Sequence, residues 1–255
     1  MSYHDYRIGE NGPLDRKVKQ IIYRSDNCMV YMDEDEVIQW STNGITLHEE
    51  FGDIQNKISL WEVTCNKIFS KKDAYEFKTL LSEAYARIIE ENNDRHANQI
   101  IERTVYQIEK RGKEVLKQSY ILSSFFWTLI VVILLFTLVM IRPYILDSYE
   151  NKYQIITTSL FGGIGAFVFA TIRLKNYSPE IVLTREIHRV DGALRVFYGI
   201  IAGLTIAVCI KSNLLFGFID KLDKTIYLNS FLGIIAGASE VLIPNLIKQV
   251  EEKNG

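Results

Sequence analysis

The chain has 255 residues, a formal net charge of −2 and three cysteines. Its averages hide two unlike halves: residues 1–118 carry 17 Lys/Arg and 21 Asp/Glu, whereas residues 119–255 carry 12 and 10, nearly all between long uncharged runs. A slightly acidic soluble half argues against nonspecific nucleic-acid binding, the widely spaced Cys28, Cys65 and Cys209 form neither a CxxC pair nor a disulfide framework, and the absence of GxGxxG, Walker, HExxH and GxSxG patterns leaves nothing to support an enzyme or a cofactor.

The opening "MSYHDYRIGENG" has no basic n-region and no apolar h-region, so no signal peptide is expected. Short β signals follow: "CMVYM" (Cys28–Met32), an acidic turn "DEDE" (Asp33–Glu36), "VIQW" (Val37–Trp40), then "STNG" and "ITL". Asn43-Gly44 is a hairpin signal, and "KISLWEV" (Lys57–Val63) alternates well enough for a further strand. The acidic turn reads as a solvated loop before it reads as a cation site. From Asp73 the spacing of Phe77, Leu80, Leu81, Ala84, Tyr85, Ile88 and Ile89 predicts a helix, with Asp73 and Glu76 as its capping box. "ENNDRHAN" predicts a break, after which helical spacing continues toward the apolar half as a stalk.

A helix needs about 20 apolar residues to cross a hydrocarbon core of roughly 30 Å. Four segments qualify as spans: 120–141, 155–172, 196–210 and 226–247. The third is short, and snorkelling of Arg195 and Lys211 would lengthen it. Counting Lys/Arg near the span ends puts twelve on the side of both termini and five on the other. That bias predicts cytosolic termini. The fold class expected is an α-helical membrane protein with four transmembrane helices, a small cytosolic α+β domain (1–94), a helical stalk (95–118) and a membrane domain (119–255).

Between spans two and three, "NYSPEIVLTREIHRVDGALR" predicts a separate short helix with Ser178 as N-cap and Pro179 in its first turn. Leu183, Ile187, Val190 and Leu194 would form one stripe with Arg185 and Arg189 opposite, suited to the headgroup layer or to the N-terminal domain. His188 reads as part of a solvated face, and none of the four histidines has a metal-binding spacing. Gly162, Gly163 and Ala166, the Gly199-x-x-x-Gly203 pair and the Gly233-x-x-x-Gly237 pair are small-residue faces. Such faces let helices approach closely in lipid, within one bundle or between copies in a homo-oligomer.

Glu240 is the one charge inside a span. Fourteen residues from Ile226 puts it roughly 21 Å along the helix, about 9 Å below the cytosolic surface of a core of roughly 30 Å. A charge at that depth normally faces a partner or water. Arg173 and Arg195 start from the same surface and are the expected partners. A ring of Glu240 side chains lining an oligomeric pathway and a protonated acid stay open as alternatives. Pro244 predicts a bend or a helix end four residues on.

Several strands closed by "KKDAYEFKTLLSEA" resemble the small pleckstrin-like domains of bacterial membrane proteins, which implies a membrane-surface or oligomerising module. A soluble domain joined to a few glycine-rich spans resembles the small multi-pass inner-membrane effectors of bacterial anti-phage defence. Ser239, Glu240, Leu242, Ile243 and Pro244 are similar to the S-E-x-L-I-P ending of uncharacterised bacterial integral membrane proteins, a likeness that carries no activity. These resemblances imply a non-enzymatic, oligomeric membrane effector or channel-like component. Its expected partners are the lipid bilayer, further copies of itself and a cytosolic protein. An anchor that recruits a soluble partner without conducting ions is the alternative.

Overall fold

The computed structural model describes residues 2–44, 49–91, 94–144, 149–181, 183–212 and 225–239. The chain is mostly helical and divides into two compact units, Met1–Leu116 with Glu180–Thr184, and Lys117–Pro179 with Arg185–Gly255.

The first unit holds three antiparallel strands, β1 (Val18–Arg24), β2 (Cys28–Asp33) and β3 (Ile38–Thr42), in the order β1-β2-β3. Every residue of β2 is buried. Its alternate residues serve opposite faces: Cys28, Val30 and Met32 join the main core, while Met29 and Tyr31 pack with Tyr3 and Val18. A strand covered on both sides needs apolar residues at every position, which accounts for the unbroken run "CMVYM". The acidic turn is held by its own hydrogen bonds, with Val37 N–H donating to Asp33 Oδ1 at 2.8 Å. Basic residues at the start of β1 pair with it: Arg16 with Asp35, Lys17 with Glu34 and Lys19 with Glu36. Among the described residues no group of three His, Cys, Asp or Glu side chains could hold a metal.

Helix α1 (Phe51–Ile68) and helix α2 (Lys71–Glu91) build the main core against this sheet. The strand expected at Lys57–Val63 is corrected: those residues lie inside α1. Phe51, Ile54, Ile58, Cys65 and Ile68 are the buried positions, whereas Leu60 and Val63 are exposed. Helical spacing thus governed burial, and the alternation of Ile58, Leu60 and Glu62 was incidental. Among the described residues, three strands are covered by two helices, where the pleckstrin-like pattern expects several strands closed by one. Helix α2 also starts two residues earlier than Asp73. Asp73 N–H donates to Ser70 Oγ at 3.3 Å, and the Ser70 hydroxyl donates to Asp73 Oδ2 at 2.8 Å. The expected "ITL" strand lies outside the described residues; before it, Gly44 takes a φ of +74°.

Helix α3 (Asp94–Ile141) is continuous for 48 residues. Its early residues Ala97, Ile101 and Ile108 complete the core of the first unit, and Lys117–Ile141 belong to the second.

The second unit adds α4 (Glu150–Arg173), α5 (Arg185–Lys211) and α6 (Thr225–Ala238). Three helices, those containing 120–141, 155–172 and 196–210, are long and apolar enough to cross a membrane. Helix α6 is apolar but only 14 residues long as described, and the rest of the expected fourth span lies outside the described residues. The separate helix expected between spans two and three is corrected. Ser178 and Pro179 lie in an irregular segment, and Arg185 instead begins α5, which runs without interruption to Lys211. The helix that holds the third apolar run is therefore 27 residues long, although its uncharged stretch is still the 15 residues between Arg195 and Lys211. The stripe Ile187, Val190 and Leu194 lies exposed on α5, continuing into the exposed apolar residues Phe197, Tyr198, Ile201 and Leu204.

Candidate functional site in the apolar helical unit

Helices α4, α5 and α6 meet backbone to backbone. A Cβ on Gly162 would overlap the carbonyl oxygen of Gly199, and one on Gly237 would overlap that of Gly162. A Cβ on Gly199 would stand 2.5 Å from the Gly162 oxygen, and one on Gly203 would stand 2.7 Å from the oxygen of Thr158. Gly233 rests on the same Thr158 carbonyl, Gly163 packs on Ile200, and Ala166 fills the space beside Gly199. All seven small residues singled out from the sequence thus lie in helix–helix contacts within one chain. Removing the side chain lets the helices close until Cα–H groups reach facing carbonyls, contacts worth about 0.5–1 kcal/mol each.

One end of this bundle is polar. Arg185 Nε donates to Ser119 Oγ at 2.8 Å, Ser123 Oγ donates to the carbonyl of Arg189 at 2.6 Å, and Ser124 Oγ donates to the carbonyl of Gly192 at 2.9 Å. These three bonds tie α3 to the first turns of α5. Gly192 makes the approach possible, because a Cβ there would overlap the Tyr120 carbonyl. His188 is buried, not solvated as its charged neighbours suggest; its Nδ1 lies 2.9 Å from the phenol of Tyr177. The reason is helical phase: His188 shares a face of α5 with Gly192, Val196, Gly199 and Gly203. Tyr177 stacks on Tyr120 at 4.7 Å, and burial pushes its phenol up to about 12, with Asp191 and Tyr120 adding to the effect, so it stays a neutral hydroxyl.

Beside these rings, Arg173 at the end of α4 and Arg195 in α5 converge on one aromatic side chain. The guanidinium carbons lie 4.6 Å and 4.9 Å from the centre of the Phe169 ring. A cleft of about 460 Å³ opens there, lined by both arginines, Phe169, Tyr120, Asn176 and Tyr177. Arg195 reaches a second cleft as well, where it is joined by Ser239, the residue after α6. Glu240, the next residue, lies outside the described residues. Of the remaining residues singled out, Arg185 anchors to α3 as above and Arg189 is exposed.

Sequence reading missed Ser119, Ser123, Ser124, Phe169 and Gly192. For Gly192 a signal existed: it continues the Gly199 face two helical turns toward the N-terminus. The serines carried none, since a serine in an apolar helix reads the same whether it bonds its own backbone or a neighbour's.

Compared with protein-family models, curated proteins and solved structures, the chain matches none.

Proposed function

We propose that this chain is a four-span protein of a bacterial inner membrane, with both termini cytosolic. In this reading it acts as an oligomeric membrane effector or channel-like component, of the kind used in anti-phage defence. Its cytosolic α+β domain, joined by a helical stalk at 95–118, or a cytosolic partner of that domain, controls the spans. No chemical step is assigned to it. The observation that carries the reading is the glycine seam: among the described residues α4, α5 and α6 close on one another's backbones, which leaves no room for a lumen along that seam. A conducting path would then run between copies, and the broad apolar face of α3 (Leu122, Phe126, Ile133, Phe136) is open to lipid or to a neighbour.

In the same proposal Glu240 pairs with Arg195 or Arg173 and pins span four to the bundle; that Arg195 and Ser239 share a cleft supports it. The test is a dye-leakage and membrane-potential assay on cells and proteoliposomes carrying the full chain, with its subunit count measured in parallel. Leakage that depends on an oligomer supports the effector reading. A tight membrane under every trigger, with a stable soluble partner bound, overturns it. Under the pinning proposal, Glu240→Gln should weaken assembly; unchanged assembly with lost conductance would instead make Glu240 part of the path.

One observation favours the anchor reading. A polar groove of about 520 Å³ follows β3, the outer strand among the described residues, between Gln39, Trp40 and Thr42 on one side and Gln55, Ser59 and Glu62 on the other. An edge strand beside a groove is where an extended peptide adds to a sheet.

A further inference from the structure

A groove of about 510 Å³ runs between α3, α4 and α6, at the opposite end of α4 from the arginine cleft. Its lining changes along its length. Leu135, Phe161 and Ile234 form one end, whereas Arg142, just past the end of α3, and the phenols of Tyr153 and Tyr227 form the other. From Leu135 to Arg142 the chain rises about 10 Å, so the groove lies lengthwise along the helices and grades from apolar to polar. Arg142 is not a lone charge at the polar end. Its Nη2 donates to Glu150 Oε1 at 3.4 Å, and its guanidinium stands over the Tyr153 ring at 5.5 Å. The mouth of the groove therefore carries a cation and an anion side by side. Gln154 Nε2 donates to the same Oε1, also at 3.4 Å. Both bonds are at the long limit of hydrogen bonding, both members of the ion pair are partly exposed, and such pairs hold weakly. Glu150 Oε2 takes part in neither bond.

We propose that this groove binds a membrane phospholipid whose zwitterionic head joins a phosphate to a primary ammonium. The acyl chain lies against Leu135, Phe161 and Ile234, the phosphate meets Arg142 and the ammonium meets Glu150. Charge complementarity argues for that occupant, because its two opposite charges match the two at the mouth. Arginine forks suit phosphate oxygens, and an ammonium that keeps its N–H groups can donate to Glu150 Oε2, which a quaternary ammonium cannot. Tyrosines at the polar end fit the depth where acyl chains meet headgroups. The volume is that of a ligand pocket, and its width argues against a second copy of the chain. Spread along about 10 Å, 510 Å³ leaves a cross-section of about 50 Å², against about 80 Å² for a helix 10 Å across. This inference rests on the membrane reading above and not on the effector one.

The test uses the full chain, first washed at alkaline pH on its membranes and then extracted into dodecyl maltoside micelles. Native mass spectrometry compares retained phosphatidylethanolamine with phosphatidylcholine of the same acyl chains. The original chain should retain phosphatidylethanolamine about tenfold better, the worth of one charge-assisted hydrogen bond. Glu150→Gln should bring the ratio close to one; Glu150 is exposed, so its loss should leave the bundle folded. Val139→Trp, which fills the groove from an exposed position on α3, should lower retention of both lipids. Equal retention of the two lipids by the original chain overturns the proposal, as does a preference that survives in folded Glu150→Gln or retention untouched by Val139→Trp. Lipid-free dimers that Val139→Trp separates would give the groove to a second copy and overturn it too. A chain that stays in washed membranes without lipid preference sinks this site alone, whereas a chain that washes off sinks the membrane reading with it.

Discussion

The carbonyl oxygen of Thr158 in α4 lies 2.7 Å from the point where a Cβ on Gly203 in α5 would stand. Backbone, not a movable side chain, occupies that space, so a larger residue must push two helices apart. Gly203→Leu should destabilise the bundle by about 1–3 kcal/mol, the usual cost of overpacking. The exposed neighbour Ile201 should accept Leu without loss. Thermal unfolding in detergent, followed through Trp127, separates the two. Equal melting of both variants would mean that the seam does not hold the helices.

A second expectation concerns Lys78, whose side chain is buried in the first unit. Its ammonium donates to the Glu36 carbonyl at 2.6 Å and stands 3.8 Å from Glu62. Lys78→Met removes a donor from the β2–β3 turn and leaves Glu62 facing the core without its cation. The cost of stranding a buried charge is about 3 kcal/mol. Hydrogen exchange of the β2 and β3 amides should quicken by about a hundredfold. Lys78→Met with Glu62→Gln should recover part of that loss; if the double variant exchanges faster than the single one, the pair is not what holds the turn.

Glu62 also sets a pH dependence. Burial raises its carboxyl above the ordinary 4.5, and Asp33 pushes the same way, against the Ile38 amide and Lys78. The folded state therefore binds this proton more tightly than the unfolded state does. Its contribution to stability is full below 4.5 and falls as pH rises through the higher folded value. Glu36 acts in the opposite sense, since Lys19 holds it below 4.5 and its contribution is lost as the medium turns acid. The stability difference between the original chain and Glu62→Gln, measured from pH 4 to pH 8, should shift against the original chain as pH rises. A flat difference would place Glu62 in a wetter site than the geometry describes.

The number of spans is open to a direct measurement. Three helices reach membrane length within the described residues, and a fourth span at 226–247 would return the C-terminus to the side of the N-terminus. Reporter fusions after residues 115, 146, 180, 218 and 255 should read cytosolic, external, cytosolic, external and cytosolic. An external reading at 255 would reduce the bundle to three spans and remove Glu240 from the membrane.

Some of this was legible in the sequence for simple reasons. Membrane-length helices announce themselves by uncharged length, and glycine spacing at 162, 199 and 203 maps onto a helix face without knowledge of the partner. The limits of α5 were not legible. Its first turns carry Arg185, Glu186, Arg189 and Asp191, and charge there imitates a loop even though the helix continues. Strand β1 was hidden because "VKQIIYR" alternates poorly, and its ladder is irregular between Val18 and Gln20 and again between Ile21 and Tyr23. The convergence of Arg173 and Arg195 on Phe169 depends on how two helices are rotated about their axes, which spacing along a single helix cannot fix.

The glycine seam has a consequence for how such a chain can diverge. At Gly162, Gly199 and Gly237 the facing backbone admits one residue type, whereas Leu122, Phe126, Ile133 and Phe136 are exposed and can exchange among large apolar residues. Over long descent, identity between two copies of this bundle should thin to a sparse skeleton of glycines at fixed intervals. Kinship would then be carried by the spacing of the smallest residues long after the larger ones had been replaced.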